Sequence, residues 1–171
     1  EHEEILGKPA TYQSSKEESD LIAAYRETLE GGHVNRGRNI FYRNQAAQCV
    51  RCHAVFEYGG NAGPGLAGVA DRLSKEEMLI SLVEPSAIYA PGYGVVILET
   101  EDGGSISGIV MKETDATIQL QIGKEDLKTI QKSEITSREN IPSSMPSMKE
   151  ILSKREIRDV VAFLATLQEE D

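Results

Sequence analysis

Five consecutive residues, Cys49-Val50-Arg51-Cys52-His53, hold both cysteines of this 171-residue chain and one of its three histidines. This is the attachment pattern for a c-type haem. Two residues between the thiols let one turn of backbone present both sulfurs to neighbouring pyrrole edges, and the adjoining imidazole then falls beneath the iron. Three other chemistries use paired cysteines, and each asks for something more. A structural zinc site needs a fourth ligand, usually from a second paired motif, whereas His2 and His33 stand alone. A thiol redox pair asks for a βαβ context. A disulfide closing so small a loop contributes little stability.

Composition narrows the setting. With 39% apolar and 27% charged residues the chain reads as globular, of a length that suits one domain and perhaps a small appendage. Apolar runs are short, as in Val95–Leu98, and none approaches the roughly 20 residues that span a bilayer. A net charge of −10 repels phosphate backbones and makes nucleic acid a poor partner, leaving a basic protein or a cationic patch as the better expectation. No export signal is visible from Glu1 onward, so the sequence reads as a processed chain or as a piece of a longer one.

A haem iron held by His53 needs a sixth ligand or an open face, and four methionines compete for it. Met78 follows a capping box, Ser74 to Glu77, in a helical pattern and reads as core. Met111 sits in the β-like run Ile109-Val110-Met111 and reads as core too. Met145 and Met148 lie in Ile141-Pro142-Ser143-Ser144-Met145-Pro146-Ser147-Met148, which two prolines keep from being regular helix or central strand. Pro146 biases Met145 toward an extended backbone and stiffens its loop, so Met145 is the favoured ligand. Met148 is the alternative, or fills an apolar gap beside the haem.

Periodicity predicts helices over residues 17–30, with Leu21, Ile22, Tyr25 and Leu29 on one face and Gly31-Gly32 at its end, and over about 34–44, with Val34, Gly37 and Phe41 on one face. A last helix opens on the capping box Ser153 to Glu156 and carries the stripe Ile157, Val160, Val161, Phe163, Leu164 and Leu167. Between them the period becomes 2. Thr117–Ile122 alternates, and turn signals separate it from Tyr93–Thr100, Ser105–Lys112 and Leu127–Gln131, which predicts an antiparallel meander of about four strands with one apolar face. No catalytic constellation lies within it; it reads as a cover over one haem edge or a docking surface.

The runs Gly37-Arg38-Asn39-Ile40-Phe41-Tyr42, Cys49–His53, Gly63-Pro64-Gly65-Leu66-Ala67-Gly68-Val69 and Ser144-Met145-Pro146 before a terminal helix resemble a class I cytochrome c. Glu84–Tyr93 and the β-rich stretch after it narrow the likeness to the haem-binding domain family of planctomycetes and verrucomicrobia, often found at the C-terminus of large predicted dehydrogenases. The resemblance covers about residues 20–168. It implies a mainly α chain with a β insertion (α+β), cytochrome c-like helices around haem c, and a close crossing of the 34–44 helix and the last helix at Gly37. The expected organisation is an N-terminal extension at 1–32 with one helix and a cytochrome domain at 33–171 with the β insertion at about 93–138. It also supports the Pro64 carbonyl as acceptor for the non-ligating nitrogen of His53, against an ordinary Gly-Pro turn. Arg72 is a candidate for pairing with a haem propionate, and equally a solvated surface arginine.

Iron saturated by His53 and Met145 has no vacancy for oxygen or peroxide, so the expected role is one-electron transfer without bond chemistry. The resemblance implies an extracytoplasmic, periplasmic location and redox partners, a dehydrogenase upstream and a cytochrome or oxidase downstream. An exposed strand edge leaves a homodimer possible. The alternatives are an open-site haem protein acting as peroxidase or gas sensor, and an interaction module whose haem only stabilises the fold.

Overall fold

The computed structural model describes residues 22–169. The described residues divide into two compact units, one built on Tyr89–Ser144 and the other on the described residues up to Ile88 and from Met145 onward. Together they make an α+β architecture with a single five-stranded antiparallel sheet among the described residues. No helix among those residues is long and apolar enough to cross a membrane.

In the helical unit, α1 (Val34–Arg43) begins where the His33 ring accepts from the Arg36 amide, and it buries only Gly37 and Phe41. The short helix α2 (Cys49–Cys52) follows, then α3 (Val69–Arg72), α4 (Lys75–Val83) and α5 (Lys154–Leu164). The capping boxes expected at Ser74–Glu77 and Ser153–Glu156 open α4 and α5, each satisfying two amides that would otherwise be orphaned. All six residues of the predicted α5 stripe are buried, in one core with Phe41, Val55, Met78, Leu79 and Met148. The helix predicted over 17–30 begins outside the described residues, at Leu21 and before. Its remainder is helical at 22–25 and tightens to a 3-10 turn at Arg26–Thr28, ahead of Gly31 with φ +74°.

Helices α1 and α5 are joined by a polar contact that periodicity does not reveal. Asp159 sits among the apolar stripe of α5 with only 2% of its surface exposed. It accepts from the His33 amide at 2.7 Å and from Arg36 Nε at 2.8 Å. Burial pushes the Asp159 carboxyl up, but these two donors outweigh it and hold the group below the usual aspartate range.

The sheet unit orders its strands β4-β3-β2-β1-β5, with β1 at Val95–Thr100, β2 at Ser105–Glu113, β3 at Thr117–Gln121, β4 at Leu127–Gln131 and β5 at Ile135–Asn140. Alternation puts Val96, Leu98, Ile118, Leu120 and Ile130 on one face, where they form a core separate from that of the helices. Met111 is half-buried at a register shift of β2, outside that core. Tyr89 donates its hydroxyl to the Ile141 carbonyl at 2.7 Å and ties the ends of the unit together.

The meander has a fifth strand where the sequence predicts about four. Strand β5 pairs with β1 from Val96↔Asn140 to Thr100↔Ile135, yet it is exposed along nearly its whole length. An edge strand that buries no face carries no hydrophobic alternation to read. Its side-chain anchor is Glu113, which accepts from Arg138 and pairs with Lys132, both at 2.8 Å. Burial raises the Glu113 pKa, and the two cations more than reverse it, leaving the carboxyl below the usual glutamate range. The stabilisation is therefore full above the unfolded-chain value and is lost as pH falls through the lower folded value. Because both cations are partly solvated, Glu113→Gln should cost about 1 kcal/mol at pH 7, read as roughly fivefold faster amide exchange in β5. Near pH 3 the difference should shrink. Equal exchange in variant and parent at pH 7 would show that the anchor contributes nothing.

Candidate functional site

The chain enters the cysteine motif through a turn made by one side chain. Asn44 ends α1, and its Oδ1 accepts from the amides of Ala46 and Ala47, both at 2.9 Å. Gln48 follows in the left-handed region at φ +48°, and the turn α2 begins. Cys49 and Cys52 stand at the two ends of that turn as free thiols, the first half-buried and the second exposed. Burial pushes the Cys49 thiol up, with a smaller rise from Cys52. That is opposite to the lowered pKa of a thiol–disulfide redox centre. Among the described residues no three His, Cys, Asp or Glu side chains come together as a metal cluster.

His53 closes α2, and the next loop folds back onto it. Gly63 donates its amide to the Cys52 carbonyl at 2.8 Å, and Leu66 does the same to Ala54 at 2.8 Å. Nδ1 of His53 lies 2.8 Å from the Pro64 carbonyl. A carbonyl can only accept, so this contact sets the tautomer with the proton on Nδ1 and leaves Nε2 with its lone pair free to bind a metal. Gly63 lies against the ring itself: a Cβ there would stand 2.6 Å from His53 Cε1 and 2.9 Å from Nδ1. Only a glycine lets the backbone come this near the imidazole. The donor set is therefore two thiols on one turn and an imidazole whose outer nitrogen is fixed, and the chemistry of these residues fits a covalently attached haem.

Arg72 caps the same loop from the other side. Its guanidinium donates to the carbonyls of Ala67 at 2.8 Å and Gly65 at 3.1 Å, and its Nη1 lies 3.9 Å from Glu169. Arg72 thus holds the segment that carries Pro64.

The two candidate sulfurs differ sharply in setting. Met148 is 2% exposed within the helical core, whereas Met145 is half-buried and packs on the edge of that core. The loop that carries Met145 is pinned to the end of α4. Ser147 Oγ donates to the Val83 carbonyl at 2.6 Å, and Lys149 Nζ meets Glu84 at 2.5 Å, which raises the Lys149 pKa.

Two residues of this region escape sequence reasoning. Gln48 and Phe56, at φ +48° and +55°, are the non-glycine residues with left-handed φ among those described, and they bracket Cys49–His53. Each left-handed residue costs about 1–3 kcal/mol and persists where surrounding structure dictates it. No signal marks them, since neither is a glycine or asparagine. Phe56 forms the tip of a turn closed by the Val55↔Tyr58 bridge, with its ring half exposed.

No protein-family model matches this chain, and the comparison with curated proteins found no match. Among solved structures it matches SoxXA from P. pantotrophus at 21% identity, with 82% of this chain and 85% of that one covered and a TM-score of 0.43. A likeness that loose carries no argument about function.

Proposed function

We propose that this chain is a one-electron carrier built on a single haem c joined through Cys49 and Cys52, with His53 and Met145 as axial ligands. The observation that carries the reading is the contact of His53 Nδ1 with the Pro64 carbonyl at 2.8 Å, over a Gly63 that leaves no room for a side chain. It places the ring proton on Nδ1 and leaves Nε2 as the lone-pair nitrogen for the iron. When bound, the haem would supply a reversible one-electron couple, and the Met145 sulfur together with the His53 imidazole would favour the ferrous state. The residues do the rest: Pro64 orients the imidazole, Arg72 holds Pro64's loop, and Ser147 and Lys149 fix the loop that offers Met145. The resemblance to the dehydrogenase-linked haem domains supports an extracytoplasmic setting, with a dehydrogenase as donor and a cytochrome or oxidase as acceptor.

The optical spectrum of the protein produced with a cytochrome c maturation system tests this. A low-spin spectrum, a weak far-red methionine-to-ferric-iron band and no rapid binding of cyanide or carbon monoxide are expected. A high-spin ferric spectrum that shifts at once with either ligand would overturn the axial assignment in favour of an open site acting on peroxide or a gas.

A further inference from the structure

Charge is distributed unevenly along this acidic chain. Between Glu30 and Glu57 there are four arginines, Arg36, Arg38, Arg43 and Arg51, and no carboxylate, although the whole chain has a net charge of −10. Asp159 neutralises Arg36. The other three are exposed. Arg38 and Arg43 line a shallow cavity of about 720 Å³ on the outer side of α1 together with Tyr42 and Tyr58, and Arg43 and Arg51 line a second of about 320 Å³ that reaches the cysteine turn at Val50. The surface between the arginines is aromatic: the rings of Tyr42 and Tyr58 lie 5.6 Å apart, and the Arg38 guanidinium is 6.0 Å from the centre of Tyr42. Tyr58 is 69% exposed, the most open of the large apolar side chains among the described residues.

We propose that the Arg38–Arg43–Arg51 face, floored by Tyr42 and Tyr58, docks the carboxylate-rich surface of a partner protein with which this chain exchanges electrons. The inference deepens the electron-carrier reading and rests on it for the purpose of docking, not for the docking itself. Charge complementarity selects the occupant. A guanidinium pairs a carboxylate through two parallel hydrogen bonds, and aromatic residues with arginine are the residue types that anchor protein interfaces. A nucleic acid or an anionic membrane would have to bring its phosphates against the acidic remainder of the chain, which an acidic patch on a folded protein avoids. The place suits the role, because the face adjoins the turn that carries both attachment thiols. The strained Phe56 turn, which ends in Tyr58, holds an aromatic edge open beside it.

Amide chemical shifts of the haem-loaded full chain, followed during titration with poly-L-glutamate, test the proposal without requiring an electron to move. Shifts confined to α1, α2 and Tyr58 are expected, and no shifts there with poly-L-lysine. Changing Arg38, Arg43 and Arg51 together to Gln should weaken poly-L-glutamate binding about tenfold or more, while changing Lys112, Lys124 and Lys128 to Gln should alter it less than about twofold. The proposal is overturned if the shifts lie elsewhere in the wild-type chain, if both triple variants lose binding equally, if single-stranded polyuridylate or anionic vesicles bind this face more tightly, or if sedimentation shows the face covered by a second copy. A colourless protein that still bound poly-L-glutamate on this face would sink the carrier reading and leave the docking surface standing.

Discussion

Gly37→Ala should destabilise this protein by about 3 kcal/mol or more, the reverse of what the same change does in most helices. In an open helix alanine gains about 1 kcal/mol over glycine, because it loses less backbone entropy on folding. At Gly37 that gain meets a wall. A Cβ there would lie 1.9 Å from the Asp159 carbonyl oxygen, 2.5 Å from its carbon and 2.8 Å from Phe163 Cβ. Two of those three atoms are backbone and cannot turn aside as a flexible side-chain tip would. To admit the methyl group, α1 and α5 must separate, which pulls His33 and Arg36 from the buried Asp159 carboxylate and loosens the tilted contact of Phe41 with Phe163, whose ring centres are 5.7 Å apart. Leaving a buried carboxylate without its partners is costly in itself. A fall in Tm of about 10 °C or more is the expected readout. An unchanged or raised Tm would mean that the two helices do not cross as closely as described.

The second large effect separates two methionines three residues apart. Met148→Ala should cost about 2–5 kcal/mol and leave the far-red band in place, because it empties a fully packed position in the helical core. Met145→Ala should do the opposite: abolish the band and lower the reduction potential, while the unfolding free energy from urea titration changes by about 1 kcal/mol or less, since the side chain is only half-buried at the edge of that core. The double variant should show both losses. If Met148→Ala removes the band and Met145→Ala spares it, the wrong sulfur has been assigned to iron.

What could be read from the sequence was whatever local chemistry writes in a fixed spacing. Cys49–His53, the two capping boxes, the α5 stripe and the alternation of Thr117–Gln121 are patterns of that kind, and each lies where its spacing puts it. Strand β5 was illegible because Ile135–Asn140 buries no face, and only pairing with a strand about forty residues earlier makes it a strand. Asp159 was illegible for the converse reason. A single charged residue inside an apolar stripe reads as a solvated interruption until His33 and Arg36, more than 120 residues away, are folded against it. At the candidate site, residue types announced the thiols and the imidazole, but the strain at Gln48 and Phe56 and the grip of Arg72 on Gly65 and Ala67 are properties of the folded loop.

The most direct test is mass analysis of the peptide Gly31–Glu57, which a glutamate-specific protease releases with Cys49–His53 intact, taken from protein made in a host competent for cytochrome c maturation. One haem per chain, bonded through both sulfurs and absent from every other peptide, is the predicted result. A peptide carrying two unmodified thiols, from a preparation without Soret absorbance, would contradict the account at its root.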